Sequence, residues 1–97
     1  MFDQMKKLME MKKQADILKR ELDATMIQTE DVAGIKIKIN GSQQFQTIEI
    51  SSEKLHADNK ARLESDLLKS LNMAMKKSQE AAALKMKNLL PGGFPGL

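Results

Sequence analysis

The chain contains no cysteine, no tryptophan and no tyrosine, a single histidine, His56, and three phenylalanines as its whole aromatic complement. Without cysteine there is no disulfide framework and no thiolate metal site. One histidine cannot build a multi-histidine metal centre, and it leaves the usual nucleophile–base arrangements almost nothing to draw on. No apolar run approaches the roughly 18 residues that a membrane-crossing helix needs. The start, Met1 to Lys7, lacks the apolar stretch of a secretory leader. These absences point to a soluble, cytoplasmic, non-enzymatic protein with no metal, cofactor, small-molecule substrate or membrane partner.

What the 97 residues do contain is charge and methionine: 16 Lys and Arg against 13 Asp and Glu, a net +3, and eight Met. Such a length holds one domain at most. Residues 1–90 are expected to form it. Pro91 to Leu97, rich in Pro and Gly, is expected to be a flexible tail.

The first 23 residues predict an amphipathic helix. Leu8, Met11, Ala15, Leu18 and Leu22 step by three and four along one face, with Met5 and Met26 extending the stripe. This seam is expected to be packed. From residue 34 the period changes to two. Ile35, Ile37 and Ile39 alternate with Lys36 and Lys38, a half-buried strand. Asn40-Gly41 reads as a turn, and Phe45 to Ile50 as the returning strand. If Ile48 and Ile50 share the isoleucine face in a regular hairpin, parity places Phe45 on the opposite face. Residues 25–29 are β-prone and could add a third antiparallel strand, with residues 30–34 as its turn. A second long helix is expected from Asp58, as N-cap, to about Leu89. Its seam is Leu68, Leu71, Met75, Ala82, Met86 and Leu89, broken by Ser78 and widened by Leu63, Leu67 and Ala74.

Helices of 22 and 31 residues would be about 33 and 46 Å long. Six-residue strands span about 20 Å. So small a sheet cannot cover two such helices, and one copy has little from which to build a core. A homodimer sharing the sheet region is the natural remedy.

The charges are not spread evenly. Residues 58–90 hold seven basic and four acidic side chains, the first 23 residues six and five, and the stretch between them three and four. On the first helix Lys6, Lys13 and Arg20 recur every seven residues opposite the seam, beside Lys12 and Lys19. By itself this pattern reads as a solvated face stabilised by pairs such as Asp3–Lys7 and Asp16–Arg20. A basic surface that takes phosphates is the alternative. With few aromatic anchors and interspersed acids, the helices make poor membrane binders.

The stretch Gly34-Ile35-Lys36-Ile37-Lys38-Ile39-Asn40-Gly41 followed by Ile48-Glu49-Ile50 resembles the core of the YbaB/EbfC family of bacterial nucleoid-associated proteins. The Met/Lys/Gln-rich first helix, the segments Arg62 to Leu68 and Asn72-Met73-Ala74, and Leu90-Pro91-Gly92-Gly93-Phe94 are similar to the corresponding parts of that family, in order. The short Gly-rich lead of many members is absent, and Ser70-Leu71 stands where small residues are common. The resemblance implies an α+β protomer of order α-β-β-β-α, with a small antiparallel sheet flanked by two long helices. It also implies a homodimer joined around the sheets with projecting helices, association with the nucleoid, a role in bacterial chromosome organisation, and binding of double-stranded DNA with little sequence preference.

On this reading the DNA-binding residues are Lys6, Lys12, Lys13, Lys19 and Arg20 on the first helix and Lys69, Lys76, Lys77, Lys85 and Lys87 on the second. Ile35, Ile37, Ile39, Phe45, Ile48, Ile50, Leu67 and Leu71 are the expected dimer interface. Base readout should be weak, since no helix-turn-helix, zinc finger or aromatic platform is present. The competing reading is a structural protein that clasps a partner through its methionine-rich helices, with Met5, Met9, Met11, Met73, Met75 and Met86 as adaptable contacts. His56 reads as a surface residue.

Overall fold

The structure, a computed structural model, describes residues 2–89. Its elements are α1 (Phe2–Ala24), β1 (Met26–Val32), β2 (Ile35–Asn40), β3 (Phe45–Ile50), short 3-10 turns at Ser52–Lys54 and Ala57–Asn59, and α2 (Lys60–Leu89). The α-β-β-β-α order and the α+β class are those the sequence predicts. The tail expected over residues 91–97 lies outside the described residues.

β2 is the central strand, antiparallel to β1 on one side and β3 on the other. Its alternation works as expected: Ile35, Ile37 and Ile39 have no exposed surface, while Lys36 is exposed on the other face. Each such burial contributes about 2–3 kcal/mol. The cover is α2, which lies across β1 and β2. Ala74 meets the isoleucines, ringed by Ile27, Val32, Leu63, Leu67, Leu71 and Met75.

Four local expectations are corrected. First, β1 runs to Val32, past the predicted end at residue 29. The register shifts between Thr29 and Val32, so a bulge absorbs Glu30-Asp31 and the turn shrinks to Ala33-Gly34. Gly34 there has a φ of +88°, a conformation that glycine tolerates. Second, the hairpin is not regular. Lys38 faces Thr47 but Ile39 faces Phe45, so Gln46 is an extra residue and Phe45 stands across from Ile39. Third, the buried strip of α2 is Ser70, Ala74, Ser78 and Ala82, and Leu68 is 61% exposed. Small side chains at four-residue spacing let the helix backbone come close to its neighbours. The serines are tolerated because each hydroxyl has an acceptor: Ser70 Oγ donates to Asp66 O at 2.8 Å, and Ser78 Oγ to Asn40 O at 2.6 Å. Fourth, Asp58 does not cap α2. It sits in the second 3-10 turn with its carboxylate 2.9 Å from His56 Nδ1, and α2 begins at Lys60.

The described residues measure 67 × 20 × 18 Å. The long axis exceeds the length of either helix alone, and α1 is held only at its C-terminal end. Leu18 is its sole buried residue; Leu8 is 65% exposed and Met5 63%. The expected seam is therefore uncovered within one chain over the first half of the helix. The C-terminal anchor is built by Asn40-Gly41. Gly41 N–H donates to Leu22 O and Thr25 O, both at 2.9 Å, and Asn40 Nδ2 donates to Asp23 O at 3.3 Å. These bonds satisfy carbonyls that a helix end otherwise leaves unpaired. A Cβ at Gly41 would lie 3.0 Å from Leu22 O, so any side chain there would push the end of α1 away by a few tenths of an ångström. The left-handed residue of this turn is Gln43, at φ +63°.

Candidate nucleic-acid interface

α1 is free over most of its length, so all five cations expected on it are exposed: Lys6, Lys12, Lys13, Lys19 and Arg20. On α2 the inward strip fixes the outward face. Lys69, Lys76, Lys77 and Lys87 are exposed, and Lys85 is half-buried.

Ion pairs sort these ten residues. Lys19 pairs with Asp23 at 3.1 Å, one turn on in the same helix, yet its side chain stays 75% exposed. Lys77 reaches Asp31 in the β1 bulge at 3.1 Å, and Lys85 reaches Glu21 of α1 at 3.5 Å. These last two tie α2 to the sheet and to α1. The other seven, Lys6, Lys12, Lys13, Arg20, Lys69, Lys76 and Lys87, have no carboxylate within ion-pair distance among the described residues. Neither Asp3–Lys7 nor Asp16–Arg20 closes. The α1 cations are therefore mostly free to meet an external anion. Lys7 and Arg62 are also exposed, although Arg62 stands 4.0 Å from Asp66.

The anchor below α1 also holds an electrostatically perturbed carboxylate. The Ser42 hydroxyl donates to Asp23 Oδ1, and Lys19 donates to Oδ2 at 3.1 Å. The Ser42 bond first, then Lys19, hold the Asp23 carboxyl below its ordinary range. Asn40 is the hub of this corner: its Oδ1 accepts from Ser42 N at 3.0 Å and Gln44 N at 2.9 Å, and its Nδ2 donates to Gln44 Oε1 at 2.9 Å. The Asn-Gly pair signals a turn in the sequence. Its second task, gripping a helix end together with Ser42, involves contacts 17 and 19 residues away that no local pattern reveals.

The apolar residues expected at a dimer interface divide into two groups. Ile35, Ile37 and Ile39 lie wholly inside the chain's own core. Phe45 is 40% exposed and Ile48 47%, while Ile50, Leu67 and Leu71 are half-buried. The cause is geometric: α2 covers β1 and β2 and leaves the same face of β3 open. Among the described residues there is no His, Asp and Glu cluster that could hold a metal ion, and no helix is long and apolar enough to cross a membrane.

A small antiparallel sheet carrying two long helices, cationic on their free faces, defines an elongated α+β architecture. The chain belongs to the YbaB/EbfC DNA-binding family, whose model matches residues 1–94. It is 35% identical over 89 residues to a nucleoid-associated protein of Chloroflexus aurantiacus, covering 91% of this chain and 88% of the relative. It is 34% identical over the same length and shares to a nucleoid-associated protein of Chloroflexus aggregans.

Proposed function

We propose that this protein is a non-enzymatic, nucleoid-associated protein of the bacterial cytoplasm that binds double-stranded DNA as a homodimer, with little sequence preference. The supporting observation is the set of exposed, unpaired cations on two helices that outrun the sheet. Lys6, Lys12, Lys13 and Arg20 on α1, with Lys69, Lys76 and Lys87 on α2, neutralise phosphates and release counterions. Lys19 joins them while paired to Asp23. Lys77 and Lys85 contribute less, because a carboxylate already holds each. Residues 1–90 act as a single unit, and the dimer forms through the open side of the sheet at Phe45, Ile48 and Ile50, with Leu67 and Leu71 at its margin. A second copy covers the apolar surface that α2 leaves bare.

Titration of the protein with several unrelated duplexes at two salt concentrations tests the DNA reading. Binding to all of them with a steep loss at higher salt supports it; no binding at low salt overturns it. Sedimentation at micromolar concentration tests the dimer, which predicts about twice the protomer mass. The competing reading, a protein that clasps a partner helix, draws on the exposed apolar side chains of α1, with Phe2 at 89% and Met9 at 72%. It predicts capture of a specific protein partner and indifference to DNA.

A further inference from the structure

The outward face of α2 has a pattern of its own. Directly opposite the buried strip, stepping by three and four residues, stand Ser65, Lys69, Asn72, Lys76, Gln79 and Ala83, all exposed. Cations alternate with small or amide side chains, and the row holds no acid; Glu80 lies at its border. A face that serves only to be solvated is ordinarily filled with strong helix formers and with acid–base pairs one turn apart. Asparagine is among the poorer helix formers, and Asn72 sits near the middle of a 30-residue helix. Neither Asn72 nor Gln79 makes a side-chain hydrogen bond to another described residue. Both amides therefore present a free donor and a free acceptor to whatever meets this face.

Their spacing fits one ligand. Seven residues of helix rise about 10.5 Å, close to three base steps at about 3.4 Å each. A helix about 10–12 Å across matches the roughly 12 Å width of the major groove. Asparagine and glutamine amides pair with the N6 and N7 edge of adenine. Lys69 and Lys76 each precede an amide by three residues, placed to hold the flanking phosphates. We propose that α2 enters the major groove with this face, and that Asn72 and Gln79 read adenine edges about three base pairs apart. The result is a modest preference for adenine-containing duplexes on top of the phosphate affinity. This inference rests on the DNA-binding reading above.

The test compares full-length wild type, Asn72→Ala/Gln79→Ala and Lys69→Gln/Lys76→Gln. Each is titrated with three duplexes of equal length: mixed sequence, G·C only, and mixed sequence with 7-deazaadenine, which lacks the N7 acceptor but leaves the minor groove unchanged. Wild type should bind the mixed duplex at least about fivefold tighter than the other two. The amide variant should lose that ratio and keep the salt dependence. The lysine variant should weaken binding to all three and reduce the salt slope by about 2 for each protomer whose α2 meets the duplex while keeping the ratio. Because all four positions are exposed, each variant should retain its helix content by circular dichroism. Equal wild-type affinity for the three duplexes, or a ratio unchanged by the amide substitutions, overturns the inference and leaves the DNA reading standing. A preference for mixed over G·C duplex that survives 7-deazaadenine also overturns it, since minor-groove shape would then be the cause. Wild type that binds no duplex overturns both.

Discussion

Asn40 should be the polar residue whose loss the fold tolerates least. It is 2% exposed, and its amide makes four hydrogen bonds: two accepted from Ser42 N and Gln44 N, two donated to Asp23 O and Gln44 Oε1. Replacement by alanine removes all four and leaves a small void in a corner where α1, the hairpin and Ser78 of α2 meet. Each such bond contributes about 0.5–1.5 kcal/mol net. Ser42 and Gln44 are accessible enough for water to replace part of the loss, so the expected cost is about 2–3 kcal/mol. That is a large share of the roughly 5–10 kcal/mol that holds a domain of this size. Asn40→Asp sharpens the test. It keeps the two accepted bonds but turns the donor into a second acceptor beside the Asp23 carbonyl, at the negative end of a helix dipole. At neutral pH it should cost at least as much as alanine. Urea denaturation at one fixed protomer concentration, followed by circular dichroism, measures both; the fixed concentration matters because self-association would otherwise move the midpoint. A loss below about 1 kcal/mol for Asn40→Ala would refute the role of this hub in seating α1.

Other expectations follow from single groups. The Asp23 carboxyl is held below its usual range chiefly by Ser42, then by Lys19. Its stabilising contribution is therefore complete above the ordinary carboxylate pKa of about 3.9 and is lost as the pH falls through the lower folded value; Ser42→Ala should flatten the fall in urea midpoint on acidification. Thr29 Oγ1 is buried with no hydrogen-bond partner among the described residues, so the isosteric Thr29→Val should stabilise the fold by about 1 kcal/mol, seen as a raised thermal midpoint. Ile48→Lys places a charge on the open apolar side of β3, where Ile48 is 47% exposed; if the proposed dimer forms there, sedimentation should show a folded protomer in place of a species of twice the mass.

Much of this fold is legible in the sequence because period-two and heptad patterns report which face of an element is apolar. The isoleucines of β2 are the clearest example, fully buried as their alternation requires. The departures arise where distance or geometry overrides pattern. Glu30-Asp31 look like turn residues, yet a bulge carries them along the strand, and Asp31 holds Lys77. Ser78 looks like a break in a hydrophobic seam, yet it is fully buried because Asn40 O lies within reach of its hydroxyl. An apolar-residue search finds Ala74 and Ala82 but passes over Ser70 and Ser78, the other half of a helix face built for close approach. Candidate lysines were visible as a heptad row. Which of them carboxylates already hold was not, since the partners of Lys77 and Lys85 lie 46 and 64 residues away. The expected interface included three isoleucines that one chain buries by itself, because alternation identifies an apolar face but not what covers it.

The most direct test is the slope of log affinity against log salt concentration for one duplex, measured for wild type and for Lys13→Gln/Lys76→Gln. If about five or six of the free cations on α1 and α2 of each DNA-contacting protomer meet phosphates, the wild-type slope should lie near −5 per protomer, and the double variant should be shallower by about 2 per protomer with its fold intact. A wild-type slope near zero, or an unchanged slope in the variant, contradicts DNA binding through these helix faces.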